Sequence, residues 1–138
     1  MPGDTGRRVV RYLAAFLSAG AAVVYLLIGF EVIRVVDIKP TDMSSMLGFG
    51  LASGGAFLLG AVLLLLFDRR LLWILGGLFQ VMAIVMYFAV APQRDPSFEP
   101  WGIGLKVIQA VLLVALAWLA LRPSQAGRRV AAIRRIPR

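Results

Sequence analysis

Residues 43–93 read MSSMLGFGLASGGAFLLGAVLLLLFDRRLLWILGGLFQVMAIVMYFAVAPQ. Met43 to Phe67 carries no charge, and neither does Leu71 to Gln93. A helix needs about 20 apolar residues to cross about 30 Å of hydrocarbon, and both runs are long enough. Only Asp68, Arg69 and Arg70 separate them, so the two helices are joined by a tight turn and lie as antiparallel neighbours. Backbone N–H and C=O groups in lipid must be satisfied within the segment, which leaves helix as the conformation of such runs.

The same signature recurs on either side. Tyr12 to Phe30 is free of charge, and a first span is expected from Val9 to about Val35. Trp101 to Leu121 is interrupted only by Lys106 and forms the last. The spans are therefore placed at about 9–35, 43–67, 71–93 and 101–121. A cytoplasmic segment 1–8 precedes them, a basic cytoplasmic tail 123–138 follows, and 9–122 is one transmembrane domain. The expected fold is all-α, an up-down-up-down bundle of four membrane helices. Proline removes a helix donor and collects where helices stop. Pro2, Pro40, Pro96, Pro100, Pro123 and Pro137 fall outside these spans, and Pro92 falls at the very end of the third.

Composition agrees. Sixty per cent of the 138 residues are hydrophobic and the mean hydropathy is +0.85, well above a soluble domain. The formal charge of +8 is unevenly placed. Arg7, Arg8, Arg11, Arg69, Arg70, Arg122, Arg128, Arg129, Arg134, Arg135 and Arg138 fall on one side of the bundle, with only Asp4 and Asp68 to oppose them. Arg34, Lys39, Arg94 and Lys106 fall on the other, with Glu31, Asp37, Asp42, Asp95 and Glu99. The positive-inside rule then puts both termini and the Asp68 turn in the cytoplasm, with the protein in the inner membrane of a bacterium. Arg7-Arg8 ahead of an apolar stretch has the look of an export signal. The stretch is too long for a cleaved signal, and it reads as an uncleaved first span. The basic groups crowd beside apolar spans rather than lining an aromatic-studded groove, so the expected partner is anionic lipid, not nucleic acid.

The chain has no Cys and no His. That excludes disulfides, Cys/His zinc sites, His-ligated haem and mechanisms that use a His base. No cofactor or metal is expected. Ionisable or strongly polar side chains inside the spans are the remaining candidates for a site. Glu31 lies near the outer end of the first span. Lys106 lies about 7–8 Å below Trp101 in the fourth, where the two could pair or snorkel separately. Gln80 and Gln109 both fall about 13–14 Å deep and could bond to each other. Lys106 and Gln109 share one face of their helix.

Packing in lipid relies on small residues and polar contacts. Gly48, Ala52, Ala56 and Gly60 recur every four residues, Gly50 and Gly54 form a GxxxG pair beside them, and Ala14, Ser18 and Ala22 form a row on the first span. The tail after Pro123 carries Arg128, Arg129, Arg134 and Arg135 among Val130, Ile133 and Ile136, a composition suited to an anionic membrane surface.

Four spans in a short chain resemble two groups of bacterial membrane proteins. The small multidrug-resistance transporters have four spans and a membrane-embedded glutamate in the first, for which Glu31 is the matching residue, although it lies toward the span's outer end. That resemblance implies proton-coupled export with Glu31 as the coupling group; read from the residues alone, a small oligomeric transporter would have Glu31, Lys106 and Gln109 lining its path. Small four-span proteins of the DoxX-like kind are similar in size, span number and layout over most of the chain, and this resemblance implies the fold without transferring any functional residue. With no catalytic motif read, the expected function is non-catalytic: an accessory or interaction protein, in contact with a membrane-protein partner or a second copy. The transporter is the alternative.

Overall fold

The computed structural model describes residues 2–33, 43–90, 92 and 98–122. Among them are four α-helices and no strand: α1 (Pro2–Gly29), α2 (Met43–Leu66), α3 (Arg70–Val90) and α4 (Pro100–Leu121). Each is long and apolar enough to cross a membrane. Pro100 occupies the first turn of α4, where its missing N–H would have had no intrahelical partner.

α1 departs from the expected span. It begins at Pro2 and stops at Gly29, six residues before Val35. The stop is a Schellman motif. The Val32 N–H donates to the Leu27 carbonyl at 2.9 Å, and the Glu31 N–H donates to the Ile28 carbonyl at 3.0 Å. Glu31 sits at the left-handed position with φ 59°, which usually holds glycine or asparagine. A side chain there costs about 1 kcal/mol. Glu31→Gly is therefore expected to raise stability by up to about 1 kcal/mol, read as a later midpoint when the detergent-solubilised protein is titrated with a denaturing detergent. A loss of stability would mean that the carboxylate makes a contact that matters more than the strain.

α1 and α2 share the closest seam. Gly29 meets Gly50, Ala22 and Leu26 meet Gly54, and Ser18 meets Gly60. The Ser18 hydroxyl donates to the Phe57 carbonyl at 2.7 Å. Residue numbers rise on one helix as they fall on the other, so the pair is antiparallel. The buried positions on α2 are Gly50, Gly54, Phe57, Ala61 and Leu64, alternating steps of four and three. That spacing keeps pace with 3.6 residues per turn. The stripe of strict four-residue steps does not. It drifts by about 40° per step, so Gly48, Ala52 and Ala56 face outward, and only Gly60 reaches the contact with α1.

α3 and α4 form the second pair, with Gly76 against Leu116, Gly77 against Leu113 and Gly102 against Tyr87. α1 joins the pairs by packing on α4. α2 and α3 follow each other in sequence yet barely touch along their lengths. The two helices diverge from their short turn, and α3 is the least enclosed of the four.

Candidate functional site

The buried polar groups converge on a chain through the half of the bundle that holds the start of α4. Lys106 enters it from α4, about 9 Å along from Pro100. Its ammonium donates to Gln109 Oε1 at 2.6 Å and to the Ala83 carbonyl of α3 at 3.4 Å. It also lies 5.0 Å from the centroid of the Tyr87 ring, where the π face attracts a cation. Gln109, one turn further along α4, is fully buried. Its Nε2 donates to the Tyr25 hydroxyl of α1 at 2.9 Å. Tyr25 stacks on Phe57 of α2 with ring centroids 5.3 Å apart, and Phe57 meets Phe79 of α3 edge-on at 5.5 Å.

This arrangement can hold a positive charge in a dry environment. Gln109 accepts from Lys106 and donates to Tyr25, so both ends of its amide are used. No carboxylate lies within ion-pair distance of Lys106 among the described residues. Glu31 is exposed and pairs with no cation among them. The structure thus brings Lys106 and Gln109 together with Tyr25 and Tyr87 and leaves Glu31 aside. The expected bond between Gln80 and Gln109 is absent. Gln80 is only 3% exposed, and its Oε1 has no hydrogen-bond partner. It points instead into the gap between α2 and α3. Equal depth along two helices does not give equal direction around them.

A second cluster closes the opposite end. Arg7 of α1 grips Asp68 in the α2–α3 turn through two bonds, Nη2 to Oδ1 at 2.8 Å and Nε to Oδ2 at 3.3 Å. Its Nη1 donates to the carbonyls of Leu119, at 3.1 Å, and Arg122 at the end of α4. Arg11 stands 3.9 Å from Asp68. One guanidinium therefore ties α1, the turn and α4 together, using the planar fork that lysine lacks. In the sequence these residues signal only orientation; the clamp is not legible there, because it depends on which helix ends meet.

The hydrogen bond from Arg7 holds the Asp68 carboxyl below its ordinary pKa of 3.8, against a smaller opposing effect of burial. The folded pKa is depressed, so the clamp contributes stability at every pH above the ordinary value. That contribution is lost as pH falls below 3.8 and through the folded value. Asp68 is partly exposed, so salt weakens the effect. Denaturation midpoints measured from pH 6 downward should fall in this acid window, and Asp68→Asn should flatten the drop.

Arg128, Arg129, Arg134 and Arg135, read as lipid-surface contacts, lie outside the described residues, as does most of the proline-rich loop before Phe98. Among the described residues, no three His, Cys, Asp or Glu side chains gather as a metal site would require.

Comparison with known protein families, characterised proteins and solved structures gave no match.

The Lys106–Gln109–Tyr25 chain links α4 to α1, and Lys106 adds α3 through Ala83 and Tyr87. In sequence Tyr87 reads as an ordinary interfacial anchor, and Tyr25, though deeper in its span, carries no sign of its partner. Only the pairing of helices reveals their part.

Proposed function

We propose that this chain is a multi-pass protein of the bacterial inner membrane that acts as a non-catalytic accessory or interaction partner of other membrane components. The observation that carries this reading is the closure of the polar chain. Lys106, Gln109 and Tyr25 bind one another and the bundle's own backbone, which is how a structural tie between helices is built. Glu31, the one acidic residue that a proton-coupled transporter resembling the small multidrug-resistance kind would use, occupies an exposed helix stop.

The orientation belongs to the same proposal. Arg7, Arg11, Asp68 and the end of α4 meet at one end of the bundle, with Arg69, Arg70 and Arg122 beside them. By the positive-inside rule that end faces the cytoplasm, and anionic lipid headgroups are its neighbours. The chain is free of cysteine, so single cysteines at Ser97 and Ser124 report sidedness. Ser97 should react with an impermeant thiol reagent from outside the cell and Ser124 should not. The reverse pattern overturns the orientation.

Affinity purification from native membranes, with mass spectrometry of what co-purifies, tests the function. A stoichiometric membrane partner that survives washing supports the accessory reading. A homo-oligomer without partners, whose proton-driven flux disappears in Glu31→Gln, supports transport and sinks it.

A further inference from the structure

The divergence of α2 and α3 leaves an apolar wedge of about 260 Å³ between them. Its walls include Gly60, Leu63, Leu72, Leu75 and Phe79, and its floor is Leu112 and Leu116 of α4. Along α2 it runs from Ala56 to Leu64 and along α3 from Leu72 to Gln80, a length of about 12 Å on each helix. That volume is far below what a packed helix 10–12 Å across would need over the same length, and it is of the scale of a single hydrocarbon chain.

Gln80 lies at the end of this wedge away from the Asp68 turn, beside Phe57 and Phe79. Its amide is almost wholly buried and its Oε1 is unpartnered. The other polar side chain in the lining, Ser18, is already bonded to the Phe57 carbonyl. A mostly apolar concavity with one placed polar group is the usual form of a small-molecule site, the polar group setting orientation. A bare acyl tail would fill the volume but leave the amide oxygen unsatisfied, which a buried polar group resists.

We propose that this wedge is a binding site for a membrane-dissolved linear molecule that ends in a hydroxyl, with the chain lying between α2 and α3 and its O–H donating to Gln80. The site is open to lipid on one side, since Ala56, Leu59 and Leu75 are exposed, so a ligand enters laterally from the bilayer. The length of the wedge matches a long-chain alcohol such as 1-decanol.

The full chain in bilayer nanodiscs of phosphatidylethanolamine and phosphatidylglycerol is labelled with a decanol carrying a mid-chain diazirine, and in parallel with the methyl ether of the same probe. The alcohol should label the Ala56–Leu64 and Leu72–Gln80 segments, and unlabelled decanol should compete while decane competes weakly. The ether, which cannot donate, should label those segments about fivefold less. Gln80→Leu should abolish the difference between alcohol and ether, and Ala56→Trp, which blocks the wedge from α2, should abolish labelling by both. Equal labelling by alcohol and ether in the wild-type protein would show a groove for lipid tails only and overturn the proposal. Labelling scattered over the exposed face of α3 would do the same. The wild-type comparison needs no variant to fold.

Discussion

Gly50→Val should separate α1 from α2 and cost about 3 kcal/mol or more. A Cβ added at Gly50 would stand 2.8 Å from the Tyr25 carbonyl oxygen and from the Gly29 backbone nitrogen. Those are backbone atoms of a helix and cannot swing aside as a side-chain end would. The valine therefore forces the axes apart along the closest seam in the molecule and pulls Tyr25 away from Gln109. Gly48→Val and Gly55→Val serve as controls, because a Cβ at either meets nothing within 4 Å. Denaturing-detergent titrations of the three variants, followed by tryptophan fluorescence, measure the contrast. Gly50→Val matching its controls would show that the two helices do not approach at this point.

The second large effect is at Gln109. Gln109→Leu leaves the Lys106 ammonium without its 2.6 Å acceptor and the Tyr25 hydroxyl without its 2.9 Å donor. Stranding a buried charge costs more than losing a neutral bond, and about 3 kcal/mol is expected. Lys106→Met alone leaves the Gln109 carbonyl oxygen unsatisfied and should cost less. The double variant removes both partners and should be more stable than the sum of the single losses implies, by about 1–2 kcal/mol. A cycle with no coupling would mean that the ammonium is held by the Ala83 carbonyl and the Tyr87 ring without the glutamine.

The four helices are legible in the sequence because charge-free runs of membrane-crossing length admit little else. The turn at Asp68 is as plain, because only three residues separate two such runs. The end of α1 is not. Its stop uses Glu31 in a left-handed conformation, and a glutamate gives no local sign that it will adopt one. The small residues of α2 show the same limit. Gly50 and Gly54 sit among a richer-looking row every four residues, and only the drift of that row around the helix separates the face that packs from the face that does not.

The polar residues divide along similar lines. Lys106 and Gln109 are neighbours by spacing on one helix, which any sequence reveals. That Gln109 bonds to Tyr25 instead of Gln80 depends on the direction each residue takes around its helix, and on α1 packing against α4. The apolar surface of these helices gives few cues to that choice, because lipid and protein interior are alike to a leucine.

The ends of α1 carry a consequence for the kind of bilayer this chain suits. From Arg11, beside the clamp, to Gly29, where the Schellman stop begins, the helix rises about 27 Å. Neither end can slide: lengthening the apolar run means burying Arg11, and shortening it means unwinding the stop. By its length α1 therefore suits a hydrocarbon core slightly under the ~30 Å of an average one. A thicker bilayer would have to thin around the protein, at a cost of a fraction of a kcal/mol per Å of mismatch. In a membrane of uneven thickness, the chain should concentrate in the thinner regions.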